Sequence, residues 1–205
     1  MTQQNLFEQP APPKPPRRKT QPSDGPQRVR AQHNWFFALR PSAEDAARIH
    51  AQTQGLLDGA GIRARRIAPE RLHITLEFIG DEVDEEILER AYRAADTIRF
   101  PPIDAQFDAA LTFSRSSGPL VLVGGAGLDA VRKLRSELAC VLADHGFKLP
   151  RNYEPHMTLC YDSRHRLRRT TIEPISFHTA EFALVKSHIG FSRHEVLRTW
   201  PLRAT

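Results

Sequence analysis

Apolar residues recur along the chain in two rhythms, one of period two and one near 3.6, from Asn34 onward and hardly at all before it. The run NWFFAL (34–39) reads as a strand closed by Pro41. Ser42, with Asp45 three residues on, marks a capped helix start, and Ala46, Ile49, His50, Thr53, Leu56 and Leu57 keep helical spacing until Gly59 and Gly61. In RLHITLEFIGD (71–81), Leu72, Ile74, Leu76 and Phe78 alternate with His73, Thr75 and Glu77, which predicts a strand with one apolar face. A second helix is predicted from Asp84 to Ile98, its acidic first turn suited to the helix dipole and its apolar stripe formed by Ile87, Leu88, Ala91, Ala95 and Ile98.

Strands follow in IDAQFDAALTF (from Ile103) and PLVLVGG (from Pro119), joined by a turn-rich segment over Ser114 to Gly118. A third helix, from about Leu128 to Ala143, presents Leu128, Val131, Leu134, Leu138, Val141 and Leu142 on one face and stops at Gly146. EPHMTLCYD (154–162) reads as another strand, and FHTAEFALVKSHIG and HEVLRTWPL close the chain as two more, bridged near Gly190 and Ser192. The order is strand, helix, strand, helix, strand, strand, helix, strand, strand, strand, an α+β pattern. Each half holds a helix followed by a strand carrying His-x-Thr-Leu, and the two histidines are 83 residues apart, which points to an internal duplication.

Charge sharpens the boundary at the start. The chain carries a formal +5, but Lys14, Arg17, Arg18, Lys19, Arg28 and Arg30 against Glu8 and Asp24 place +4 of it in residues 1–32. Those residues also hold seven of the sixteen prolines, so they read as a disordered, Pro-rich basic tail ahead of one folded domain over 33–205. The near-neutral body is ill suited to tracking a long nucleic-acid backbone, which takes many phosphate contacts, and stays compatible with an RNA end or a nucleotide. No apolar run approaches the roughly 20 residues of a membrane span, and the polar start has no signal-peptide core, so no membrane partner and a cytoplasmic location are expected. Cys140 and Cys160 have no metal-ligand spacing and read as buried, reduced thiols.

The chemistry lies in the repeated tetrapeptide, His73-Ile74-Thr75-Leu76 and His156-Met157-Thr158-Leu159. Residues two apart on a strand share a face at about 6 to 7 Å, so each motif offers an imidazole beside a hydroxyl. A hydroxyl donates to a phosphate oxygen, and an imidazole titrating near neutrality gives or takes a proton. Two such strands together supply the base and the acid that in-line displacement at phosphorus needs on opposite sides. The other histidines, among them His50, His145, His178, His188 and His194, form no compact metal spacing and read as structural or surface residues; no metal is expected. GGAG (124–127) lacks the spacing and the following Lys-Ser/Thr of a phosphate loop and reads as a strand-to-helix turn. Arginines cluster before the first motif (Arg63, Arg65, Arg66, Arg71) and after the second (Arg164, Arg166, Arg168, Arg169), where they could steer an anionic substrate.

On these motifs, and on NWFFALRPS, GFKLPRNYEPHMTLCYD and FALVKSHIGFSRHEVLRTWPL, the chain resembles the 2H phosphoesterase superfamily. Within it, the likeness is to the RNA 2′,3′-cyclic phosphodiesterase or 2′-5′ RNA ligase family, over roughly residues 33–202. The resemblance implies a bilobal, pseudo-symmetric α+β fold, two antiparallel sheets lining a central cleft with helices outside. It implies metal-independent hydrolysis of a ribose 2′,3′-cyclic phosphate to a 2′-phosphate, with reversible 2′-5′ ligation in some members. His73 would be the proton donor, His156 the proton acceptor, and Thr75 and Thr158 would bind the phosphate oxygens. No cofactor is implied, the partners are RNA ends or cyclic nucleotides, and a monomer is expected. One position departs from the pattern: many members have an arginine two residues past the second motif, where this chain has Tyr161. The same site could act on ADP-ribose cyclic phosphate or 2′-5′ oligonucleotides, or bind RNA ends without turnover.

Overall fold

The structure, a computed structural model, describes residues 32–113, 118–150, 152–161 and 166–203. All but the last residue of the tail read over 1–32, most of the turn read over 114–118, and Arg164 of the second arginine cluster lie outside the described residues. In chain order the elements are β1 (His33–Leu39), α1 (Ala43–Gly59), β2 (Ile74–Asp81), α2 (Glu85–Asp96), β3 (Ile103–Thr112), β4 (Pro119–Val123), α3 (Asp129–Asp144), β5 (Met157–Tyr161), β6 (Thr170–Thr179), β7 (Glu181–His188) and β8 (Arg193–Pro201). The helix starts follow the sequence: Ser42 Oγ accepts the Asp45 amide at 3.0 Å and Asp84 Oδ1 the Ile87 amide at 2.8 Å. Among the described residues no helix is long and apolar enough to cross a membrane.

All strands pair antiparallel in one sheet of order β6-β3-β4-β5-β2-β1-β7-β8. The two sheets implied by the resemblance are its two four-stranded halves, joined between β2 and β5 by the single pair Ile74↔Met157. Past that pair the edge of β5 is taken by the segment before β2: the Ile67 amide donates to the Leu159 carbonyl at 2.7 Å, and Arg66 bridges Cys160. Strand–helix–motif strand occurs as β1-α1-β2 and again as β4-α3-β5, the duplication read from the sequence. The helices tie the halves together, since α3 packs on both β2 and β3 while α1 reaches β6. Phe37, Leu39, Ile49, Leu134, Leu138 and Trp200 belong to the core beneath the helices. Separate, smaller apolar clusters form from Phe36, Ala38, Ala183 and Val185 in one half, and from Ala109, Val121 and Val123 in the other.

Three local readings change. Alternation in the sequence marks β6 only at its end, within a longer strand starting at Phe177; its first residues are mostly exposed, and Pro174 is tolerated because β6 is the sheet's edge. Cys140 is exposed on α3, while Cys160 is buried as expected. The simple alternation of β2 also breaks. Its register skips Leu76 between Thr75↔Ala38 and Glu77↔Phe37, so an extra residue inverts the phase: Glu77 is buried and Phe78 is turned outward. β5 skips Leu159 in the same way, and both motif strands share one sequence of burial, ending in exposed Phe78 and exposed Tyr161.

GGAG is a structural turn, as read. A Cβ on Gly124 would lie 2.5 Å from the Gln106 carbonyl oxygen of β3 and one on Gly127 2.7 Å from it, while Arg132 donates to the carbonyls of Gly124 and Gly125. Gly124→Ala forces backbone apart and is expected to cost about 1 to 3 kcal/mol, read as a lowered denaturation midpoint at unchanged m-value.

Candidate active site

Each catalytic candidate sits one residue before its strand, at the joint of the half-sheets. Because Ile74↔Met157 is an antiparallel pair, its neighbours face across it, His73 towards Thr158 and His156 towards Thr75. All four line one cavity of about 270 Å³, together with Asn34, Phe36, Ile67, Arg71, Phe78, Tyr161, Ser187 and His194.

The two histidines are held alike. His73 Nδ1 lies 2.7 Å from the Arg71 carbonyl oxygen and His156 Nδ1 2.8 Å from the Glu154 carbonyl oxygen, in each case two residues upstream. A carbonyl only accepts, so Nδ1 carries the proton and donates it, which leaves Nε2 for chemistry in the cavity. A phenylalanine packs each ring: Phe36 stacks on His73 at 4.9 Å, and Phe113 meets His156 edge-on at 4.9 Å. Five residues after each histidine the bulge brings an aromatic side chain to the cavity wall, Phe78 at 46% exposure and Tyr161 at 60%.

The symmetry ends in the surroundings. His194 of β8 packs its ring 5.2 Å from that of His73, edge to face. Burial, which strips water from the charged imidazole, pulls His73 down to about 4, and the neighbouring His156, Arg71 and Arg40 push the same way. His194 is lowered to about 3, first by burial, then by His73, Arg71 and Arg40. Near pH 7 His73 and His194 are therefore neutral.

Behind the cavity, the backbone between the motifs is tied twice. Tyr153 Oη, three residues before His156, donates to the Thr75 carbonyl at 2.9 Å. Arg135 of α3 stacks over the Tyr153 ring at 5.1 Å and places Nη2 2.8 Å from Glu77 Oε2 on β2. Burial pushes the Glu77 carboxyl up and Arg135 pulls it back.

Of the sequence candidates, His73, His156, Thr75 and Thr158 come together. Among the arginines read beside the first motif, Arg71 joins them, whereas Arg63 pairs with Asp58 and Arg66 is bonded to the His50 carbonyl, Thr53 and Gln54. His178 and His188 bind Asp104 and Glu195, and His145 caps α3, as expected of structural residues. His194 does not fit that reading: it is a cavity residue, carried there by strand β8 from the end of the chain, with no local signal to mark it. Phe78 and Tyr161 did carry a signal, their equal offset from the two motifs. Among the described residues no three His, Cys, Asp or Glu side chains gather as metal ligands.

Comparison with known proteins agrees with this arrangement. The profile of the 2′-5′ RNA ligase superfamily matches residues 38–193. An RNA 2′,3′-cyclic phosphodiesterase of Thermotoga maritima is 31% identical over 101 residues, 48% of this chain and 54% of that protein, and one of Aeropyrum pernix is 32% identical over 102 residues, 48% and 57%. The matched stretch thus spans about half the length of these curated relatives. The crystal structure of E. coli LigT in apo form superposes with a TM-score of 0.66 at 28% identity, covering 84% of this chain and 99% of that one. With the profile spanning most of the described fold and both motifs, the chain belongs to the 2′-5′ RNA ligase superfamily.

Proposed function

We propose that this cavity hydrolyses a ribose 2′,3′-cyclic phosphate at an RNA or nucleotide end to a 2′-phosphate, without a metal. The observation that carries the reading is the matched pair of imidazoles, each with Nδ1 committed to a carbonyl and Nε2 left for the cavity. His156 takes a proton from water as the water oxygen bonds to phosphorus, the bond from phosphorus to O3′ breaks, and His73 gives its proton to O3′. Thr75 and Thr158 donate to the non-bridging oxygens, and the products are a 3′-hydroxyl and a 2′-phosphomonoester. Curated relatives named RNA 2′,3′-cyclic phosphodiesterase support the substrate class.

Phe78 and Tyr161 offer faces on which nucleobases stack, an interaction worth about 1 to 3 kcal/mol per base. Their equal placement favours a second reading, in which a 2′-5′ linkage with a nucleoside on each side of phosphorus is also a substrate. The test is turnover of a 2′,3′-cyclic nucleotide, a cyclic-phosphate-ended RNA and a 2′-5′ dinucleotide in excess EDTA, with products identified chromatographically. Hydrolysis of the first two is expected. Tight binding of all three with no turnover would make the protein an RNA-end binder instead.

A further inference from the structure

We infer that Arg71 is the cation that receives the substrate's phosphate, standing in from the first motif's side for the arginine that Tyr161 replaces beside the second. The inference rests on the phosphate reading of the cavity. Among the described residues, the Arg71 guanidinium pairs with no carboxylate. Arg71 ends a short 3₁₀ turn over Pro69–Arg71, and its carbonyl is the acceptor that orients His73. Arg71 lines the same cavity as both histidines and both threonines, its charge reaches His73 and His194, and its Nε is buried with no hydrogen-bond partner among the described residues.

The cavity offers that guanidinium no counter-ion: no Asp or Glu is among the described residues lining it. Partly removing an arginine from water is costly unless an anion meets it, and among the described residues no carboxylate does, which leaves the place to a bound phosphate. Neighbouring arginines are spoken for, Arg40 by the Glu70 carbonyl, Arg66 by α1 and Arg63 by Asp58. A guanidinium also binds two oxygens of one phosphate at once, which fixes the group in orientation as well as place. Tyr161, 60% exposed at the opposite motif, is a phenol that cannot supply this charge.

The position has a consequence for the proton donor. Burial first, and then the charges of His156 and Arg71, disfavour a positive charge on His73. A phosphate that pairs with Arg71 offsets the charge part of that penalty and brings a negative charge to the imidazole, which favours the proton His73 must give away. Arg71 would then serve both as a phosphate ligand and as the element that ties protonation of His73 to occupancy of the site.

The probe is inorganic phosphate, titrated into the full chain by calorimetry and by NMR of the histidine resonances, using the natural sequence, R71K, R71Q and the double variant R71Q/Y161R. Loss of a hydrogen-bonded charge contact should weaken phosphate binding of R71Q about 10- to 100-fold, R71K should fall between, and R71Q/Y161R should recover most of the loss. Circular dichroism on each variant shows that the fold is kept. Unchanged phosphate binding in R71Q would overturn the inference, and so would a loss that a new arginine at 161 does not recover, since that would make Arg71 a support for the loop. Cyclic-phosphate hydrolysis by the natural sequence is measured alongside. Phosphate binding that depends on Arg71 without hydrolysis would end the proposed reaction and leave the phosphate contact standing.

Discussion

Alanine in place of His156 is expected to cut turnover of a 2′,3′-cyclic nucleotide by about 10² to 10⁴-fold, and His73→Ala by a similar factor, because each imidazole is assigned one proton transfer in the transition state. Both rings line the cavity, so both variants should stay folded and keep most of their affinity for substrate. The effects should be far from additive, since a transition state deprived of one transfer gains little from the other. The two losses should differ in how they respond to pH. His73 stands at about 4, below the range in which an acid is loaded at pH 7. A phosphate anion close by favours the charged imidazole, so binding must raise that value and take up a proton. The His73 ring resonances should therefore titrate from about 4 without ligand to a higher pH with phosphate. A titration that phosphate leaves unmoved would remove His73 as the acid.

Glu77→Gln is expected to be the most damaging substitution away from the cavity, lowering stability by about 3 to 5 kcal/mol. Glu77 and Arg135 are 2% and 11% exposed at their side chains, and among the described residues the guanidinium pairs with no other carboxylate, so it is left without one when the charge of Glu77 is removed. Replacing both, as E77L/R135M, should recover much of the loss, because a buried pair repays little more than its own desolvation whereas a buried single charge repays nothing. Denaturant unfolding of the three variants separates these cases. The pair also bears on activity: Arg135 stacks on Tyr153, and Tyr153 joins the approach to His156 with the backbone of Thr75, across a joint that has one strand pair of its own. The double variant should thus regain stability while turnover stays depressed, a split between folding and catalysis that a purely structural ion pair would not give.

Much of this molecule was legible in its sequence because the signals were local. Helix starts at Ser42 and Asp84, the turn at GGAG and the two His-x-Thr strands each follow from a few adjacent residues. The resemblance carried the pseudo-symmetric arrangement, and the register at Ile74↔Met157 gave it a physical cause. What escaped was set by pairing between distant strands. Alternation placed Phe78 with the apolar face of β2 and Glu77 with the histidine, but the extra residue at Leu76 is visible only in the register with β1. His194 reads as an ordinary polar residue of a closing strand until β8, β7 and β1 lie side by side and bring it against His73. β6 has the polar, proline-containing sequence of an edge strand, which weakens the very alternation by which strands are recognised.

The central claim is that two similarly held histidines do opposite things, His73 protonating the leaving 3′ oxygen and His156 deprotonating water. A 2′,3′-cyclic substrate with sulfur in place of the bridging 3′ oxygen tests it, because a thiolate leaves without a proton and needs no acid. Turnover of the oxygen and sulfur substrates by His73→Ala and His156→Ala is the measurement. The account predicts that His73→Ala regains most of its activity on the sulfur substrate while His156→Ala does not. Rescue of His156→Ala with His73→Ala left inactive would reverse the assignment.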